Sequence, residues 1–227
     1  MDMKPVIYRE YREKLRAGDV VLYRPGRWEL INRRIASKAV HEEAEPWQRY
    51  AHAGMVGWAQ GVCELLEMLQ FRGGRCTRLS WQVKGWSGQW DVYRPIASDE
   101  WFDGEPSGYA ASRVMRQITG TPYGYGSLWT ASVGYLPIVG ALCPPPRDDA
   151  ADSRIEAARH CSQAVSFGWR RAGSDPIADL ADAVTTPNHL AWPHWSRYLA
   201  TIVWTAEQEE SLRQRWPCER MAVSSEL

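Results

Sequence analysis

Two residues far apart in the chain are of the types that make a nucleophile and its base. Cys161 stands in Arg-His-Cys-Ser-Gln-Ala-Val, where an amphipathic pattern begins, and His52 stands in Tyr-Ala-His-Ala-Gly-Met-Val. A thiol at a helix N-terminus is acidified by the helix dipole and by backbone N–H groups that lack intrahelical partners. An imidazole on a separate strand can take its proton, so the pair points to a cysteine nucleophile with a histidine base, in the order histidine first. The plainer readings stay open at this level: Cys161 as a small core residue, and His52 as a hydrogen-bonded residue at a strand end. The N–H of Cys161 is itself a natural oxyanion donor.

A base needs an orienting group, and Glu64 and Glu67 are the candidates. They lie three residues apart in a predicted strand, so they point to opposite faces. Glu67, flanked by Leu65, Leu66, Met68 and Leu69, is the deeper one, and a carboxylate there is costly unless paired. Gly54, two residues after His52, would let a backbone or a substrate approach closely. His160 is a rival base next to Cys161, but neighbouring residues project in different directions. His41, His189 and His194 stand in polar or Pro-rich stretches and read as surface residues.

The elements that must carry these groups follow from patterning. Strands are predicted at 20–23, 51–58, 62–71, 76–79 and 89–93, a run of consecutive antiparallel strands, with a last one at 200–204. Helices are predicted at 6–16, 28–39, 107–119, 127–136, 161–172, 177–183 and 206–215. Pro144 to Asp149 reads as an exposed break. Strands grouped together, with most helices after them, give an α+β fold. The chain of 227 residues suits one domain, with the chemistry-bearing stretches between about 16 and 192 and a C-terminal extension over 193–227.

Composition narrows the function classes. Twenty-seven basic residues balance 27 acidic ones, which gives no support for nucleic-acid binding. Five cysteines, with scattered spacing and no C-x-x-C, argue against a disulfide framework and a zinc site. Reduced thiols, a start without an apolar signal-peptide core, and no stretch of 18 apolar residues predict a protein without export signal or transmembrane segment, cytoplasmic or virion-associated. Thirteen tryptophans against three phenylalanines are unusual; Trp81, Trp86 and Trp90 can wall a groove for sugar rings or acyl chains.

Gly18-Asp19-Val20-Val21-Leu22-Tyr23, then His52-Ala53-Gly54-Met55-Val56, then Leu66-Glu67-Met68, then Cys161-Ser162-Gln163-Ala164-Val165 together resemble the circularly permuted branch of the NlpC-type papain-like cysteine peptidases, including its YiiX-like amidase group and, more distantly, the lecithin retinol acyltransferase group. The resemblance implies a papain-like fold, with a cysteine helix packed on an antiparallel sheet. It implies Cys161 as nucleophile, His52 as base and Glu67 as third member, with Gln163 where many members have Glu. The Thr-Pro-Tyr123-Gly-Tyr125 loop resembles a tyrosine-bearing segment ahead of the cysteine, which makes Tyr123, Tyr125, Gly54 and Ser162 candidates to line the site or serve the oxyanion. The function implied is hydrolysis of an amide or ester in a cell-wall peptide or a lipid or acyl amide, through a thioester and without cofactor or metal. An acyltransferase using the same triad, or a non-catalytic virion or accessory protein with an assembly partner in a phage particle, are the alternatives.

Overall fold

The computed structural model describes residues 3–26, 29, 33, 36–37, 40–86, 88–126, 154–178 and 180–215. Most of the helix predicted at 28–39, the whole of that at 127–136, the break at 144–149, and Cys143 and Cys218 lie outside the described residues.

The early apolar stretches become strands: β1 (Pro5–Ile7), β2 (Val20–Arg24), β3 (His52–Ala59), β4 (Val62–Leu69), β5 (Gly73–Arg78) and β6 (Gln89–Pro95). Among the described residues they join β9 (Ser196–Val203) in a seven-stranded sheet of order β1-β9-β6-β2-β3-β4-β5. Every neighbouring pair in it is antiparallel except β1 with β9. The two-residue strands β7 (Trp101–Phe102) and β8 (Glu105–Pro106) make a separate hairpin. The fold is α+β.

The sheet is covered on both faces, which is why β2 reads as an unbroken apolar run rather than an alternation. Val20, Leu22, Met55, Leu66 and Met68 face one core with Ala111 and Met115 of α3 (Ser107–Gln117) and Val165 and Phe167 of α4 (Cys161–Arg171). Val21, Val56, Leu65 and Val92 face a second core with Tyr8 of α1 (Tyr8–Tyr11) and Leu79 and Val83 of α2 (Leu79–Gly85).

Three differences from the sequence reading have physical causes. The helix expected over 6–16 is broken: three residues pair with β9, one helical turn follows, and residues 12–14 close as a 3₁₀ turn. Leu79, predicted as a strand end, opens α2, whose two core contacts at i and i+4 are too few to register as a period. The stretch beyond 193, expected as an extension, supplies β9, which pairs with both β1 and β6 inside the sheet before α5 (Ala206–Arg215). No helix among the described residues is long and apolar enough to cross a membrane.

Candidate active site

Cys161 is the first residue of α4. The preceding turn is held by a reciprocal cap: the N–H of Gln163 donates to His160 Nδ1 at 3.4 Å, and the N–H of His160 donates to Gln163 Oε1 at 3.3 Å. This is a capping box built with histidine where Ser or Thr is usual. His160 Nε2 donates to the Ala183 carbonyl at 3.0 Å, and Ser162 Oγ donates to the Thr185 carbonyl at 2.7 Å. Both side chains fasten the helix start to the 182–186 connection. Ala164, Val165 and Phe167 then seat the helix on β3 and β4.

His52 opens β3 opposite Tyr23 of β2. Its Nε2 lies 2.6 Å from Glu67 Oε2. The other oxygen, Glu67 Oε1, accepts from Arg75 Nε at 2.9 Å and Nη2 at 2.5 Å. Glu67 sits directly opposite Arg75 in the β4–β5 pairing, so the register of one hairpin delivers the anchor. The His52 ring is stacked by Trp86 at 5.6 Å between centroids and met edge-on by Trp90 at 6.2 Å. With Nε2 committed to Glu67, Nδ1 is the nitrogen left for the sulfur.

The electrostatics follow from burial against charge. Burial alone would lower the His52 pKa, but interaction with the Cys161 sulfur and then with Glu67 raises it to about 10. Burial would raise the Cys161 thiol, but the charge of the adjoining His52, and after it the nearby His160, hold it well below its ordinary value. Glu67 resists burial through His52 and Arg75, and its carboxyl lies below the usual range. Both directions favour the thiolate–imidazolium form of the pair over the neutral one.

Tyr123 reaches this sulfur from another segment. Its residue bridges to Arg159, and the N–H of Gly124 donates to the Arg159 carbonyl at 2.8 Å, two residues before Cys161. The Tyr123 hydroxyl interacts with Cys161 and the Gln70 side chain; burial, then the charge of Cys161, pushes its pKa up, so it stays protonated. The loop comes this close because β5 begins with two glycines. A Cβ on Gly73 would sit 2.2 Å from the Thr121 carbonyl oxygen, and one on Gly74 2.2 Å from that of Ile118.

Of the residues singled out from sequence, Cys161, His52, Glu67 and Tyr123 come together. Glu64 faces the other side and pairs with Arg116 of α3 at 2.7 Å. Gly54 is not at a ligand surface: a Cβ there would meet Leu65 Cδ1 at 2.6 Å, so its smallness serves packing between β3 and β4. Ser162 is turned into the protein toward Thr185. Tyr125 stands one step outside, its ring 5.0 Å from that of Tyr123. Trp86 and Trp90 flank His52, whereas Trp81 is 63% exposed with the Arg78 guanidinium over its ring. The expectation that His189 is a surface residue is corrected: it is 4% exposed, with its Nδ1 accepting from the Thr186 N–H at 3.0 Å and its ring edge-on to Trp192. His41 is half-buried and His194 exposed, both in ring contact with Trp192.

Arg75 and Gln70 were missed by sequence reasoning. Arg75 was out of reach: a turn read at Arg72-Gly73-Gly74-Arg75 keeps that arginine in the link, and only a turn one step earlier, at Leu69–Arg72, sets it opposite Glu67. Among the described residues, Cys63, Cys76 and Cys161 are free thiols, and no group of three His, Cys, Asp or Glu side chains is placed to hold a metal ion.

These features define an α+β protein with a buried Cys–His–Glu cluster at the start of a helix. No protein-family model matches the chain, and no curated protein matches it. Among solved structures, the chain is similar to the crystal structure of the metalloprotein YiiX from Escherichia coli O157:H7, at 15% identity and a TM-score of 0.42. The match covers 69% of this chain and 66% of that one, just under two thirds of its length.

Proposed function

We propose that this protein is a cysteine hydrolase that cleaves an amide or ester through a thioester, with Cys161 as nucleophile, His52 as base and acid, and Glu67 as the group that orients His52. The observation that carries the reading is the buried His52–Glu67 contact of 2.6 Å, locked by Arg75, with the other side of the ring turned to a thiol at a helix N-terminus.

The thiolate of Cys161 attacks the carbonyl carbon, a C–S bond forms, and the carbonyl π pair moves onto oxygen. The Cys161 N–H and the Tyr123 O–H, which interact with each other beside the sulfur in the free protein, turn to that oxyanion as its donors. The tetrahedral species collapses, the C–N or C–O bond breaks, and the proton on His52 passes to the leaving group. His52, now neutral, takes a proton from water as the hydroxyl attacks the thioester. The acid departs, and the thiolate–imidazolium pair is restored. Glu67 keeps its charge throughout, and Trp86 over the ring excludes water from the His52–Glu67 bond.

Alkylation with iodoacetamide, with the modified positions mapped by mass spectrometry, tests this. Cys161 should react at pH 6 at least about tenfold faster than Cys63 and Cys76, since rate follows thiolate fraction and access. Equal, slow labelling of all three would remove the basis for the assignment.

A further inference from the structure

The β4–β5 hairpin carries a residue that its own turn does not want. The N–H of Arg72 donates to the Leu69 carbonyl at 3.1 Å, so Phe71 is the third residue of the turn, and its φ is +64°. That position and that dihedral favour Gly or Asn, and a bulky side chain there is strained. Phe71 is also 89% exposed, which places a benzyl group in water. Gln60 and Asp103 take similar dihedrals in other hairpin turns, but both are polar; an exposed aromatic ring in that conformation sets Phe71 apart, and strain of this kind concentrates at functional sites.

The ring belongs to a continuous aromatic track. Phe71 lies 5.9 Å from Tyr125, and Tyr125 lies 5.0 Å from Tyr123, which contacts Cys161. Exposure falls along it toward the sulfur, from 89% at Phe71 to 47% at Tyr125 and 8% at Tyr123. The Tyr125 hydroxyl accepts from the Phe71 N–H at 2.8 Å, and the Tyr123 hydroxyl is engaged with Gln70 and Cys161. Successive rings are tilted by 48° and 57°, so they make a stepped ridge and not one flat face for a sugar or a nucleobase.

We infer that Phe71, Tyr125 and Tyr123 form the binding track for an apolar chain on the acyl side of the scissile bond, and that Phe71 sets the preference for long-chain acyl substrates. This rests on the reading of Cys161 as nucleophile and names the substrate class for that site. A chain lying along the ridge removes the exposed ring from water, and the tyrosine rings extend the same apolar contact toward the sulfur.

The test compares iodoacetamide with N-decyl iodoacetamide and with an iodoacetamide coupled to glucosamine, all below micellar concentration, reading the alkylation rate at Cys161 by mass spectrometry against free cysteine. The decyl probe should react at least about tenfold faster than iodoacetamide relative to the free-cysteine ratio, a factor set by burial of a few methylenes, and the glucosamine probe should gain nothing. Phe71→Gly fits the dihedral, so it should fold at least as well. It should bring the decyl preference close to that of free cysteine. Trp81→Ala, also exposed but away from the track, should keep the preference. Fast reaction with iodoacetamide but no decyl preference, a preference that survives Phe71→Gly, or a gain with the glucosamine probe would each overturn the track while leaving the nucleophile in place. Slow reaction of Cys161 with every probe would instead remove the cysteine-hydrolase reading and the track with it.

Discussion

His52 and His189 are both buried, yet the first is pushed up to about 10 and the second down to about 4. Burial acts in the same direction on both, against the charged imidazolium. At His189 burial lowers the pKa: the ring packs against Trp192 and its Nδ1 accepts a backbone N–H, an arrangement that suits the neutral form. At His52 the same penalty is overcome by a sulfur on one side and a carboxylate on the other. Depth alone does not keep an imidazole protonated. A second ionisable group, held in place by a third, does.

The largest effect should come from Cys161→Ala. Any turnover should fall by at least about 10³-fold, and the His52 resonance in an NMR titration should move down from about 10 toward the ordinary histidine value, since the first upward cause is gone. Folding should change little, because the small side chain leaves almost no cavity. A His52 titration unchanged in this variant would break the contrast between the two histidines.

His189 sharpens the other half. Its folded-state pKa of about 4 lies below the unfolded value of 6.5. Its contribution is therefore fully present above pH 6.5, falls as pH drops from 6.5 to 4, and stays lost below that. The swing should be about 3 kcal/mol at 1.36 kcal/mol per unit. Urea denaturation across this window should show the loss, and His189→Asn should flatten it.

Glu67→Gln keeps the shape of the His52 contact and removes its charge. Cys161 alkylation at pH 6 should fall by about 10²-fold, with Arg75 left beside an uncharged amide. Rescue by Glu67→Asp, even partial, separates this role from general packing.

The smallest effect is one of pH profile. Cys161 alkylation should stay level from neutral pH into alkali, because its thiolate is already formed, whereas Cys63, pushed up to about 11 by burial, should begin to react only in strong alkali. Turnover should behave differently. It should fall as pH rises through about 10, where His52 loses the proton the leaving group needs, and fall again in acid as the Cys161 thiolate is protonated.

Another buried ion pair gives the contrast a control. Asp19 accepts from Arg94 Nε at 2.7 Å and Nη2 at 2.8 Å, and from the Arg16 N–H at 2.8 Å. Its oxygens are occupied, and the pair ties the approach to β2 onto β6. The Gly18-Asp19 stretch was legible in sequence as a strand entry, but nothing local tells a clamp from a catalytic acid.

Much of the rest was legible because it depends on nearest neighbours. The unbroken apolar run at 20–23, the short link before 62 and the amphipathic pattern after Cys161 reflect local geometry, and β2, β3, β4 and α4 follow them. The opposite facing of Glu64 and Glu67 also needed only the two-residue period of a strand. What local chemistry alone could determine was therefore the residue types, the carrying elements and the face each would take. Only the tertiary structure decided that β3 and the start of α4 meet, that Arg75 closes Glu67, that Tyr123 is drawn in by the glycines of β5, and that residues 196–203 lie inside the sheet. Those outcomes rest on contacts between segments up to about two hundred residues apart, where register and packing set the distances, and one residue's local pattern carries no record of the partner it will meet.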